Sequence, residues 1–269
     1  MCDHCGCSDE GTGYTILKPG NDNHYHIHDE HHSHAHPHRH THATEHTGHT
    51  HAPVRRIAVE TDILHRNNLL AQRNRGFFEA RKILALNLVS SPGSGKTTLL
   101  EQTLKRLSGK PVYVIEGDQQ TSLDAERIRS AGIPAVQINT GSGCHLDADM
   151  INRAVNELDP VQASLLFIEN VGNLVCPALF DLGENYRVVI ISVTEGEDKP
   201  LKYPNMFQSA DICLINKIDL LPYVEFSPEK LKTFARQINP DLAFLEISAR
   251  TGAGMDRWIG WMDGVRSKE

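Results

Sequence analysis

The chain has 269 residues, with 27 Lys plus Arg against 34 Asp plus Glu, so its formal charge is −7 before its 16 histidines are considered. That balance supplies no cationic excess to hold phosphate backbones, which excludes a dedicated nucleic-acid binder. The polar start MCDHCGCSDE is no secretory leader, and the longest apolar runs, Ile83–Val89 and Val188–Val193, are far shorter than the roughly 20 residues that span a bilayer, so a cytoplasmic protein without membrane attachment is expected.

The chain divides into two kinds of polymer. Fourteen of the 16 histidines lie in the first 51 residues, and three of the six cysteines, Cys2, Cys5 and Cys7, lie in the first seven. From Asn21 to Ala52 there are 13 histidines and almost nothing that builds a core. Residues 1–55 are therefore expected to be a disordered, metal-binding tail. Residues 56–269 are long enough for one α/β domain with a full core.

In chain order, Ile57–Arg81 places Ile63, Leu64, Leu70, Phe77 and Phe78 at roughly helical intervals, which predicts a helix docked on the domain. Strands are predicted at Ile83–Val89, Val112–Ile115, Ala135–Ile138, Leu165–Ile168, Arg187–Val193, Ile212–Ile215 and Phe244–Ile247. Helices are predicted at Lys96–Leu107, Leu123–Ala131, Leu146–Leu158, Pro228–Ile238 and Met255–Val265. Alternation of apolar strands with amphipathic helices is the mark of a mostly parallel sheet covered on both faces.

The first strand runs into Ser90-Ser91-Pro92-Gly93-Ser94-Gly95-Lys96-Thr97-Thr98. This is a P-loop, in which amides and a helix N-terminus cradle phosphates. Gly93, Ser94, Gly95 and Thr98 shape the cradle, Lys96 reaches the β- and γ-phosphates, and the Thr97 hydroxyl ligates Mg²⁺. Ser90 stands where the general pattern has its first glycine, so the loop is expected to curl somewhat differently there. Some 120 residues beyond Lys96, an apolar strand ends in Asn216-Lys217-Ile218-Asp219, which resembles the N-K-x-D element of GTPases. Guanine offers two adjacent donors that one carboxylate, Asp219, accepts together; Lys217 lies along the base and Asn216 ties the loop to the P-loop. Ser248-Ala249-Arg250 resembles the element whose backbone N–H meets the guanine carbonyl, although an ordinary strand exit reads the same way.

Two acids stand at strand ends, where α/β folds place ligand groups. Asp118 either holds Mg²⁺ through water or orients the attacking water. Glu169, in Glu169-Asn170-Val171-Gly172, resembles a D-x-x-G switch with Glu for Asp. Lys96, Mg²⁺ and an oriented water suffice for slow intrinsic hydrolysis of GTP to GDP.

Three features suit metals. Cys144-His145 together with Cys176 is a thiolate–imidazole–thiolate set for Ni²⁺ or Zn²⁺ with a position left open, and two such sites can meet across a dimer axis. Cys2, Cys5 and Cys7 with the terminal amine can wrap one ion, as planar Ni²⁺ prefers. The histidine tract offers many weak, overlapping sites. Cys213, inside an apolar strand, reads as core.

Taken together, the P-loop, N-K-x-D, Cys-His with a distant Cys, the N-terminal C-x-x-C-G-C and the histidine-rich linker resemble the hydrogenase nickel-incorporation GTPases, the HypB family, over essentially the whole chain. The resemblance implies a cytoplasmic metallochaperone GTPase that delivers nickel to the large subunit of [NiFe]-hydrogenase. It further implies a GTP-dependent homodimer with the Cys144/His145/Cys176 site near the subunit boundary, and a tight nickel site at Cys2, Cys5 and Cys7. The implied partners are a zinc-containing, nickel-binding accessory protein and a prolyl-isomerase-type nickel chaperone. Two rivals stand beside it. A urease-type nickel-insertion GTPase shares the P-loop and N-K-x-D but is not expected to carry C-x-x-C-G-C; the other is a protein that chiefly stores nickel.

Overall fold

The computed structural model describes residues 15–17, 54–107, 109–118, 128 and 132–267. The first described segment is a short strand, β1 (Thr15–Leu17), followed by α1 (Val54–Arg81), β2 (Leu84–Ser90), α2 (Lys96–Arg106), β3 (Val112–Asp118), β4 (Ala135–Asn139), α3 (Ala148–Leu158) and β5 (Leu165–Glu169). The second half comprises β6 (Tyr186–Ser192), β7 (Ile212–Asn216), α4 (Pro228–Ile238), β8 (Ala243–Glu246) and α5 (Met255–Arg266), with short helical turns at Lys199–Lys202 and Pro204–Gln208. Among the described residues the strands form one sheet in the order β1-β4-β3-β5-β2-β6-β7-β8. All neighbours run parallel except β1 against β4.

The sheet is buried on both faces because its strands alternate two apolar sets. Leu84, Leu86 and Leu88 of β2 join Leu99 and Leu104 of α2 and Trp258 and Met262 of α5 in one core. Ile83 and Ala85 face Phe78, Ile151 and Val155 on the opposite side, and Val189, Ile191 and Cys213 pack with Leu231 and Ala235 of α4. Cys213 is core, as its sequence context predicts, and burial pushes its thiol above the ordinary range.

Four local differences from the sequence-based expectation have physical causes. The helix before β2 forms, but its fully buried stripe is Asn67, Ala71, Asn74 and Phe78, while Ile63 is exposed. That stripe follows helical spacing with polar members. The asparagines dock α1 through main-chain groups: Asn67 Nδ2 donates to Asp181 O (2.8 Å), Asn74 Nδ2 donates to Ala148 O (2.8 Å) and Leu182 O (3.0 Å), and Ala148 N donates to Asn67 Oδ1 (2.9 Å). The close approach requires Gly183, with φ +87°, because a Cβ there would stand 2.5 Å from Ala71 O.

Second, Thr15–Leu17, inside the segment expected to be disordered, adds an antiparallel edge, with Thr15 opposite Asn139 and Leu17 opposite Gln137. Main-chain pairing to an open sheet edge needs few residues and little core. Third, β3 continues three residues past Ile115 to Asp118, since β4 pairs with it through Asp118 and β5 through Glu116. Fourth, Ser90 takes no positive φ: it is the last residue of β2, paired with Ile190, and the positive φ values of the loop fall at Gly93 and Gly95. The predicted helix Leu123–Ala131 lies outside the described residues apart from Ile128, and Cys2, Cys5, Cys7 and the histidine tract lie outside them entirely.

Candidate nucleotide and metal sites

The carboxyl ends of β2, β3, β5 and β7 bring the predicted phosphate and base groups to one rim. Gly93 (φ +76°) and Gly95 (φ +90°) turn the loop between β2 and α2. Gly95 is additionally pressed by Asn216, whose Nδ2 would stand 2.7 Å from a Cβ at that position. Asn216 Nδ2 donates to Ser94 O (2.9 Å), and its Oδ1 accepts from Ala249 N (3.1 Å), so this side chain joins the P-loop, β7 and the loop after β8. Lys217 takes a left-handed backbone (φ 62°) and its Nζ donates to Gly93 O at 2.7 Å. The Ser248 hydroxyl donates to Asp219 Oδ1 at 2.6 Å, which fixes the carboxylate expected to read guanine. Ser248 and Ala249 thus support Asp219 and Asn216.

At the phosphate end, Thr97 Oγ1 donates to Glu169 Oε1 (2.6 Å), and Lys96 Nζ lies 3.4 Å from the same oxygen. Glu169 is 3% exposed and its Oε2 has no hydrogen-bond partner. A buried carboxylate oxygen left so is costly unless a cation completes it. The Thr97 hydroxyl and that open carboxylate oxygen are the kind of oxygen ligands that fit Mg²⁺, and the Lys96 ammonium beside them suits phosphate oxygens. The register of β3 against β5 also sets Glu116 beside Glu169, and both are buried. Asp118 ends β3 two residues later, half-buried, and its carbonyl accepts from Thr140 N (2.9 Å).

Sequence reasoning missed Glu116 and Glu195. Glu195, on the loop after β6, accepts from the Ser94 hydroxyl (2.5 Å) and Ser192 N (3.0 Å) and pairs with Lys199 (3.1 Å), whose Nζ also reaches the Ser91 hydroxyl. Burial pushes its carboxyl upward, but the hydrogen bonds from Ser94, Ser192, Ser91 and Lys199 outweigh burial and hold it below the usual range. It is an ionised brace under the P-loop. The available signal was an acid inside an otherwise apolar strand for Glu116 and one just beyond such a strand for Glu195.

The second site lies where the loop after β4 meets the segment after β5. Thr140 and Gly143 close a tight turn (Gly143 N to Thr140 O, 2.8 Å), which delivers Cys144 and His145 immediately before α3. Asp147 caps that helix through Met150 N (2.8 Å). Cys176 opens a single 3-10 turn, Cys176–Ala178, with Pro177 fixing φ at its second position. The Sγ atoms of Cys144 and Cys176 are 2.8 Å apart, and Nδ1 of His145 is 3.7 Å from Cys144 Sγ. All three ligand atoms fall within 4.8 Å of one another, and this is the one cluster of its kind among the described residues. His145 stacks on Phe180 with centroids 3.9 Å apart, and burial pushes its imidazole down to about 4. A neutral ring with a free lone pair is the form that binds metal. Two soft sulfurs and one imidazole suit Ni²⁺ or Zn²⁺.

Among the described residues no helix is long and apolar enough to cross a membrane. The family model described as the CobW/HypB/UreG nucleotide-binding domain matches residues 84–246. A curated relative, the hydrogenase maturation factor HypB of Escherichia coli K12, is 58% identical over 230 residues, covering 82% of this chain and 79% of that protein. The crystal structure of the hydrogenase maturation factor HypB of Archaeoglobus fulgidus matches at 42% identity with a TM-score of 0.70, over 75% of this chain and 99% of that one. That of HypB from Helicobacter pylori in complex with nickel matches at 35% identity and a TM-score of 0.71, over 76% and 96%.

Proposed function

This chain belongs to the CobW/HypB/UreG family of P-loop GTPases and, within it, to the hydrogenase maturation factors HypB, and we propose that it is a GTP-hydrolysing nickel metallochaperone serving [NiFe]-hydrogenase maturation. The observation that carries the proposal is the convergence of Cys144, His145 and Cys176 within 4.8 Å, with Cys176 on the loop that continues from Glu169 and with Cys144 and His145 on the loop after β4, whose last residue Asn139 lies beside Asp118. The nickel complex of the Helicobacter pylori relative supports nickel as the cargo.

Asp219, braced by Ser248, selects guanine; Lys96 neutralises the terminal phosphates; Thr97, Glu169 and Asp118 hold Mg²⁺ and position the attacking water. Bound Mg²⁺ supplies charge neutralisation of the phosphates. Nucleotide state acts on Glu169, whose loop leads to Cys176, and on Asp118, whose carbonyl accepts from Thr140 N at the base of the turn that carries Cys144 and His145, so GTP and GDP set different nickel affinities and nickel changes nucleotide affinity by the same factor. Cys2, Cys5 and Cys7 form a tight nickel site, and the histidine tract collects nickel. Thr15 pairs with Asn139, five positions before Cys144. The eight positions separating Cys7 from Thr15 span at most about 28 Å when extended, which keeps the N-terminal site within reach of the domain site. The protein works in the cytoplasm as a GTP-dependent homodimer. Its partners are a zinc-containing, nickel-binding accessory protein, a prolyl-isomerase-type nickel chaperone and the hydrogenase large subunit.

The test pairs two variants. Lys96→Ala abolishes GTP turnover while the domain still binds nickel, and Cys176→Ala weakens domain nickel binding at least about tenfold while GDP binding persists. Retained turnover in the first, or unchanged nickel stoichiometry and affinity in the second, overturns the assignment.

A further inference from the structure

One buried side chain stands between Glu169 and the sulfur centre. Asn170 is fully buried, and its Oδ1 accepts from Val171 N (2.9 Å) and from Leu146 N (3.3 Å), the residue after His145. Both of those partners are donors, which fixes the amide's orientation and sends Nδ2 to Asn87 Oδ1 (3.3 Å). Asn87 is the polar member of the apolar strand β2; its Nδ2 donates to Glu184 Oε1 (2.9 Å), which Arg187 also holds through Nε (3.0 Å) and a terminal nitrogen (2.8 Å). Arg187 in turn donates to Ala178 O (3.3 Å) and Phe180 O (3.0 Å). Ala178 ends the turn that Cys176 begins, and Phe180 is the ring on which His145 stacks.

The hydrogen-bonded chain therefore begins beside Glu169 and ends on both halves of the metal centre. Its first branch is a single bond from Asn170 to the main chain next to His145. Packing reinforces that branch, because Leu146 lies against Gly117 of β3, where a Cβ would be 2.8 Å from the leucine side chain. Buried polar groups are costly to leave unpaired, so Leu146 N is not free to stay behind when Asn170 moves.

We propose that Asn170 is the positioning residue that couples the nucleotide site to the Cys144/His145/Cys176 centre. When Glu169 and Thr97 turn toward a cation and its triphosphate, Asn170 shifts with Glu169 and takes the Leu146 amide with it, changing how His145 and Cys144 face Cys176. The inference rests on the reading that nucleotide state governs nickel affinity, and it assigns that regulation to one side chain.

The test uses the full chain carrying Cys2, Cys5 and Cys7→Ala, so that thiolate-to-nickel charge-transfer absorption reports the domain centre alone. Nickel ion is titrated with GDP and with a non-hydrolysable GTP analogue. The parent protein is expected to show nickel affinities that differ at least about fivefold between the two states, the lower end of ordinary allosteric coupling. Asn170→Ala is expected to bring that ratio to about one, and Asn87→Ala to reduce it partially. A merely structural role weakens both affinities together and leaves the ratio intact, which overturns the proposal. A parent ratio of one overturns the nucleotide-gating reading itself, and the coupling role with it. Hydrogen exchange at the Leu146 amide in the parent protein needs no variant to fold: protection is expected to change several-fold between the nucleotide states, and identical protection overturns the role of Asn170.

Discussion

Replacing Gly95 by alanine tests whether the P-loop and the base-reading loop act as one device. The substitution has two costs. The residue sits at φ +90°, where an L side chain loses about 1–2 kcal/mol. The new methyl would also stand 2.7 Å from Asn216 Nδ2, forcing that side chain to give up its bonds to Ser94 O and Ala249 N. Each bond contributes about 1 kcal/mol net. The sum is about 3–4 kcal/mol, or a loss of roughly 100- to 1,000-fold in nucleotide affinity. Gly93→Ala is the control, because its φ is +76° but nothing lies within 4 Å of its Cβ, so it should lose only about tenfold. The assay is an equilibrium titration with a fluorescent GDP analogue. In the double variant Gly95→Ala/Asn216→Ala the contact no longer exists, so the combined loss should be smaller than the two single losses added. Equal losses for Gly93→Ala and Gly95→Ala, or strict additivity in the double variant, would mean that the two loops are not joined through Gly95 and Asn216.

Two further substitutions probe other links. Asp219→Asn removes a carboxylate that accepts two donors and is worth about 3 kcal/mol in charged hydrogen bonds, so preference for GTP over xanthosine triphosphate should fall by roughly 100-fold in competition binding; an unchanged preference excludes the base-reading role. Gly183→Ala places a Cβ 2.5 Å from Ala71 O at φ +87°, so α1 should lift from its seat and urea unfolding should show a loss of about 3 kcal/mol. A loss below about 0.5 kcal/mol would mean that α1 is not held by that approach.

Most of the sheet was legible because its signals are local. Buried parallel strands read as continuous apolar runs such as Ile83–Val89 and Val188–Val193, and a glycine-rich turn between strand and helix marks the phosphate cradle by itself. The candidate ligands Cys144, His145 and Cys176 stood out by residue type, although their convergence within 4.8 Å depends on β3, β4 and β5 lying side by side. What escaped was polar and non-local. The asparagine stripe of α1 reads as solvent-facing, yet its partners are main-chain groups some 74 to 114 positions away. Glu195 escaped because its meaning lies in two serines of a distant loop, and Glu116 because a buried acid inside a strand contradicts the pattern that identifies strands. The freedom in φ expected at Ser90 is not used, since β2 extends through that position.

Glu169 touches Thr97 and Lys96 and precedes Asn170 in the chain, which is why nucleotide state is proposed to set nickel affinity. The most direct measurement is an equilibrium nickel titration of the full chain, and of the full chain with Cys2, Cys5 and Cys7→Ala, each with GDP and with a non-hydrolysable GTP analogue. The triple variant is expected to keep one thiolate-bound nickel whose affinity differs between the two nucleotides, and the unaltered chain to add one tighter site. The same nickel affinity at that domain site in both nucleotide states would contradict that expectation.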